Sequence, residues 1–210
     1  MAKLVQRETI GEEIFNSIIH GIGALLSAVI FFILIFKFSK GSILKTITFA
    51  TFGFLMFFVY LASTLCHSLS FTKVKKVFQV IDHSAIYLFI AASYTPFALL
   101  VIGGILGWIV FGFVWVITIL GIIYKTFFIN SHPKVSLILY LGLGWCAVLV
   151  AWPLLQGLSI LGFLLLVLGG LFYSIGAIFF AWKKLKFNHA YWHIFVLGGS
   201  VCHLLSLLTI

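Results

Sequence analysis

Acidic residues are nearly missing from this chain: aspartate and glutamate together number 4 in 210 residues, and charged residues of both signs make up only 8%. A water-soluble domain of this length covers its exterior with charged side chains, so the scarcity excludes one. Cysteine is also sparse. Cys66, Cys146 and Cys202 are an odd number, each set in apolar sequence with no CxxC pair. They define no disulfide framework and read as small core residues. Low-complexity segments are lacking, and so is an internal repeat of the kind that marks inverted-repeat transporters.

What the chain has instead is apolar length. Hydrophobic residues make up 63%, and the mean hydropathy is +1.27. A transmembrane barrel would show short segments of alternating polarity, whereas these runs are long and continuous. A spanning helix takes ~20 apolar residues, and seven stretches qualify, at 16–38, 43–66, 82–103, 107–127, 134–155, 159–182 and 189–209. The expectation is an all-α polytopic membrane protein, a seven-transmembrane-helix bundle occupying residues 1–210 as one domain. The first stretch is preceded by Glu8, Glu12 and Glu13 and has no small-residue cleavage site. It therefore reads as a retained span rather than a signal peptide.

The net charge of +9 raises the question of a nucleic-acid partner, and its distribution answers it. With the N-terminus inside, the inner segments carry Lys3, Arg7, Lys73, Lys75, Lys76, Lys125, Lys134, Lys183, Lys184 and Lys186, and the outer side carries Lys37, Lys40 and Lys45. Ten against three is a positive-inside bias. The basicity is therefore topological, with a cytoplasmic N-terminus and an external C-terminus. It also offers anionic lipid headgroups a surface; nucleic-acid binding has no support.

This topology tests whether the scattered polar residues meet. Ser63 and His67 are four apart at the inner end of the second span, Asp82 opens the third, and His189 and His193, also four apart, open the seventh. Residues at i and i+4 share a helix face, and all three sets fall at the same depth. Three neutral imidazoles with one open position are the ligand set of catalytic Zn²⁺. His67, His189 and His193 are thus candidate metal ligands; a different imidazole-binding transition metal fits the same set. Asp82 would orient or deprotonate a water or carry a proton to a leaving group, and Ser63 would hydrogen-bond the water or a substrate oxygen. Interior histidines satisfied by their neighbours are the alternative.

The remaining polar positions divide similarly. Glu13, Asn16 and His20 share a face at the start of the first span, where capping and interhelical hydrogen bonding compete with a site role. His203 lies ten residues beyond His193, ~15 Å along a helix. It cannot join the same ion and reads as an interior histidine. His83 points away from Asp82 and reads as structural, and His132, before Pro133, as a loop residue. Gly103 and Gly107 form GxxxG, a helix-packing pattern. Trp108, Trp145, Trp152, Trp182 and Trp192 read mostly as interfacial anchors.

Four segments carry a family resemblance: Glu13-Ile-Phe-Asn16-Ser-Ile-Ile-His20-Gly21, the Ser63/His67 pair, Ile81-Asp82-His83-Ser84-Ala85-Ile86-Tyr87, and Phe187-Asn188-His189-Ala190-Tyr191-Trp192-His193 followed by Phe195-Val196-Leu197-Gly198-Gly199. In this order they resemble the hemolysin III family, a bacterial branch of the progestin and adipoQ receptor superfamily that is also similar to the alkaline ceramidases. The resemblance covers essentially the whole chain. It implies residence in the bacterial plasma membrane, seven helices with the N-terminus inside, and zinc bound by His67, His189 and His193. It also implies site positions at Ser63 and Asp82, and hydrolysis of a lipid amide as in the ceramidase relatives. Three readings of function follow. One is a zinc-dependent hydrolase of a lipid-like amide or ester, with a membrane lipid as substrate or ligand. The second is a cytolytic pore, and the third a zinc-stabilised sensor in membrane lipid or energy homeostasis. The pore reading gains little from the sequence, which has no secretion signal and no amphipathic segment that could convert from soluble to inserted.

Overall fold

In the computed structural model, which describes residues 8–38, 41–128 and 133–210, every regular element is a helix. We number them α1 (Ile10–Ile33), α2 (Ile43–Ser68), α3 (Lys75–Pro96), α4 (Gly104–Phe128), α5 (Pro133–Trp145), α6 (Ala151–Gly157), α7 (Ile160–Ala181) and α8 (Asn188–Leu207). Counting α5 and α6 as one broken span, seven segments among the described residues are long and apolar enough to cross a bilayer. The chain is a seven-helix multi-pass membrane protein. His132, and Lys3, Arg7 and Lys40 from the charge count, lie outside the described residues.

Hydropathy located each span but not its ends. The first begins at Ile10 rather than 16 and the third at Lys75 rather than 82. A polar residue that caps the backbone can start a helix ahead of its apolar run, as at α1; α3 starts at Lys75 with no side-chain cap. Thr9 caps α1 in a capping box: its side chain accepts from the Glu12 backbone N–H while the Glu12 carboxylate takes the Thr9 N–H at 2.8 Å. Asp82 consequently sits two turns inside α3 instead of opening it.

Proline sets the internal breaks. Pro96 ends α3, and a π-helical segment continues from Phe97 to Ile102. Pro153 lies in the first turn of α6, preceded by a 3₁₀ stretch from Cys146 to Val150. Proline donates no backbone N–H and its ring crowds the carbonyl four residues back, so the α-helical ladder yields there. Between α3 and α4 the chain turns at Gly103 and Gly104, with φ of 62° and 55°, in a region costly to other residues. Gly103 is therefore a turn residue, not half of a packing motif. Gly107 does pack: a Cβ there would stand 2.2 Å from the Ala98 carbonyl oxygen.

Short connections make consecutive helices antiparallel neighbours: α1 packs on α2, α2 on α3, α3 on α4 and α7 on α8, and α8 returns to touch α1. The three helices with paired or central polar residues are the inner ones. Within the most apolar window, 50%, 56% and 50% of residues are buried for the second, third and seventh spans, against 28% or less for the others. Polar residues on these helices therefore face protein, and most hydroxyls are satisfied within their own helix. Thr64, Ser93, Thr95 and Ser200 donate to the carbonyl four residues back at 2.7–2.9 Å. Lipid-facing positions remain apolar, as at Leu25, Ile105 and Leu149. At the end opposite the polar cluster, Lys45 Nζ donates to the Ile210 carbonyl at 3.1 Å, so the start of α2 and the chain's last residue share one end of the bundle.

Candidate metal centre

The end of α2, the second turn of α3, the start of α8 and the start of α1 meet at one end of the bundle. On α2, His67 lies one turn beyond Ser63, and both face inward at 3% and 1% exposure. On α8, His189 and His193 stack with ring centroids 4.5 Å apart. The His193 and His67 Nε2 atoms are 3.2 Å apart, and His67, His189 and His193 offer ring nitrogens that all lie within 4.8 Å of one another. The three histidines singled out from the sequence therefore converge.

Two carboxylates orient this triad. Glu13 Oε2 receives His67 Nδ1 at 2.5 Å, and Glu8 Oε1 receives His189 Nδ1 at 2.5 Å. An Nδ1–H donated to a carboxylate leaves the Nε2 lone pair free, the tautomer a metal ligand needs. The carboxylates are held in turn. Glu13 Oε1 takes Lys75 Nζ at 3.2 Å, and that ammonium also donates to the Cys66 carbonyl at 3.1 Å. Asn16 Nδ2 donates to Glu8 Oε2 at 3.0 Å. Burial by itself would raise the Glu8 carboxyl, but the hydrogen bond from His189 and the charges of His189, His67 and Lys75 outweigh it and bring the pKa down to about 2. Glu8 is thus an anion across the physiological range.

Three converging imidazole nitrogens are a donor set that a transition-metal ion such as zinc would accept. Zn–N bonds of about 2.0–2.1 Å at tetrahedral angles put neighbouring nitrogens about 3.3 Å apart, close to the observed His67–His193 separation. Ser63 Oγ is buried with no well-formed hydrogen bond, beside the Asp82 carboxyl. Asp82 is itself buried and within electrostatic reach of His67 and His189. Neither of these two polar groups holds a ligand ring. The fourth imidazole, His20, packs with its centroid 3.7 Å from that of His193 and its edge toward Tyr60.

Of the positions weighed alongside the ligands, Glu13 and Asn16 hold the carboxylate–imidazole pairs and His20 packs on His193. From the sequence Glu8 is only a flank of the first span. It precedes α1, so helical periodicity gave no reason to connect it with residues on α8. Glu12 has a further task, accepting the Phe187 N–H at 3.0 Å where Phe187 adopts a left-handed backbone (φ 59°) before α8. His203 stays outside the triad, its ring edge-on to Tyr173. His83 and Lys125 both line the central cavity, and Lys125, counted among the inner-side lysines, is 1% exposed.

That cavity has a volume of about 1040 Å³ and is bounded chiefly by α3 to α8, with Glu12 and His20 of α1 and Val59 of α2 also on its wall. It runs from Asp82, His189 and His193 past Phe89 and Phe97 to Leu154 and Phe163. Its lining beyond the triad is chiefly aromatic and aliphatic.

A seven-helix membrane bundle with a histidine–carboxylate cluster at one end is the class that fold and site define. The family model described as haemolysin-III related matches residues 8–204, and the chain belongs to that family. It is 50% identical over 190 residues to Hemolysin-3 of Bacillus cereus, covering 90% of this chain and 87% of the relative. It is 47% identical over 193 residues to the Hemolysin-3 homolog of Bacillus subtilis (strain 168), covering 91% of each. A more distant relative, the human monocyte to macrophage differentiation factor, is 33% identical over 153 residues, 69% of this chain and 62% of its own length.

Proposed function

We propose that this protein is a zinc-dependent hydrolase of a lipid-like amide or ester, working at the end of the bundle that the lysine and arginine bias assigns to the cytoplasm. The observation that carries the reading is a cluster of three imidazoles, two of them held by carboxylates, beside an apolar cavity that His189 and His193 line and that is long enough for an acyl chain. His67, His189 and His193 would hold the ion, with Glu13 and Glu8 fixing the tautomers of His67 and His189. When bound, zinc supplies Lewis acidity, polarising a carbonyl oxygen and acidifying water.

The rest is done by the chain. The cavity takes the acyl tail out of water and places the amide or ester beside the triad. Ser63 Oγ, its hydrogen uncommitted, donates to the carbonyl oxygen. Asp82 accepts a proton from the attacking water at its carboxylate and returns it to the leaving nitrogen or oxygen, so its proton balance closes over one turnover. Burial excludes bulk water and strengthens each of these interactions.

A second reading, a zinc-stabilised sensor, is favoured by one observation. The same cluster ties α1 to α2 and α3 through Glu13, His67 and Lys75, and the segment before α1 to α8 through Glu8 and His189. Metal analysis of the detergent-purified protein beside His67→Ala and His193→Ala tests what the two readings share. About one zinc per chain, lost in both variants, is expected; a well-folded wild type without zinc overturns both. A screen of acyl amides and esters then separates them, because the sensor turns over none. The pore reading predicts liposome conductance that survives in the histidine variants.

A further inference from the structure

Lys125 is the buried cation for which this chain provides no counter-charge. It lies on the inward stripe of α4 with Gly107, Val114, Thr118 and Gly121. A lysine near a helix end ordinarily extends its ammonium to the interface; this one is 1% exposed. Each acidic residue has other work. Glu8 binds His189 and Asn16, Glu12 the Thr9 and Phe187 amides, and Glu13 both His67 and Lys75. Asp82 lies beside Ser63 and makes no ion pair with Lys125. With only four acidic residues in the sequence, the supply is exhausted.

A second unsatisfied group stands on the facing helix. His83, one residue past Asp82 on α3, is within electrostatic reach of Lys125. Its Nδ1 is buried without a hydrogen-bond partner, while Tyr140 donates to its backbone carbonyl at 3.1 Å and pins α5 to this part of α3. Lys125 and His83 both line the cavity that reaches the histidine triad. A cation held in the membrane interior without an ion pair is costly, and an intramembrane ionisable residue facing a cavity marks a ligand path.

We propose that Lys125 and His83 form an anion subsite of the cavity, which receives an amphiphile with one negative charge at its polar end and an apolar tail. One fixed positive charge matches one negative charge, so the recognised group is a carboxylate or a phosphodiester. Lys125 Nζ donates to its oxygen and His83 Nδ1–H adds a second donor, while the tail runs along Phe89 and Phe97 toward Leu154. The inference deepens the hydrolase reading by naming an acyl-chain anion as the class of substrate or product. Binding to the subsite does not itself require catalysis.

The test measures binding, without turnover, of oleate, phosphatidylglycerol and oleyl alcohol to protein in a neutral detergent. Wild type is expected to prefer at least one of the anions to the alcohol by about tenfold or more, the scale of a charge-assisted hydrogen bond. Whichever anion is preferred identifies the source. Lys125→Met keeps the chain length and removes an unpaired buried charge, so it should fold at least as well. It is expected to lose that preference with alcohol binding unchanged, and Lys125→Arg to restore it. The proposal is overturned if wild type binds the alcohol as well as both anions, an outcome read without any variant. It is equally overturned if Lys125→Met keeps the preference. Zinc content measured on the same samples reports separately on the metal centre, so loss of one reading leaves the other visible.

Discussion

Glu13 reaches His67 with one carboxylate oxygen, at 2.5 Å, and Lys75 with the other, at 3.2 Å. A single side chain on α1 thereby fixes an imidazole on α2 and an ammonium on α3. Groups that hydrogen-bond a metal-ligating histidine contribute about 10–100-fold to metal affinity. Glu13→Gln should therefore weaken zinc binding by that factor in a chelator competition while leaving the helical signal intact. Unchanged affinity would mean that His67 does not need Glu13 to hold its tautomer.

Glu8 makes the equivalent bond to His189 but precedes α1, so its removal separates orientation from helix packing. Glu8→Ala is expected to lower zinc affinity about 10–100-fold with little change in the thermal midpoint of the metal-free protein. A large drop in that midpoint would assign Glu8 to structure.

Asp82→Asn keeps the shape of the side chain and removes its capacity to take up a proton. Zinc content should match wild type while turnover on a responsive acyl amide or ester falls about 100-fold or more, the usual share of a general acid–base. Wild-type turnover in this variant would remove Asp82 from the proton path. Ser63→Ala, with only a hydrogen bond lost, is expected to have the milder effect.

Zinc removal should loosen the bundle, because the triad joins α2 to α8 and its carboxylates join both to the segment around the start of α1. A ligand that binds only the folded state stabilises by RT ln(1 + [L]/Kd), ~4 kcal/mol at a thousandfold excess over Kd. Chelation is expected to lower the thermal midpoint of wild type and not that of His193→Ala. Equal midpoints with and without chelator in wild type would count against any structural role for the ion.

Gly107 offers a test of the fold away from the site. A methyl group there meets the Ala98 carbonyl at 2.2 Å, and a backbone oxygen cannot swing aside as a side chain can. Gly107→Ala should cost about 1–3 kcal/mol, the range for overpacking, seen as a lower thermal midpoint with zinc content unchanged. Gly112→Ala, with open space around it, is the control and should be neutral.

The sequence by itself determined the seven spans, the helical class and the grouping of His67, Asp82, His189 and His193 at one depth. Those properties are local: apolar length is read residue by residue, and i to i+4 spacing fixes a shared face whatever surrounds it. Tertiary structure alone decided that Glu8 meets His189, 181 residues away, because an extended segment before a helix has no period to project. It also decided that Lys125, which the sequence places only on the inner side of the membrane, is buried on the α3-facing side of α4. The helix start at Ile10 lay outside what hydropathy reports, since the Thr9–Glu12 capping box rather than apolar length sets it; α3 likewise begins ahead of its apolar run, at Lys75, with no side-chain cap. The cavity is the furthest from the sequence. It is a volume left between α3 and α8 where side chains fail to meet, and no single residue encodes a space.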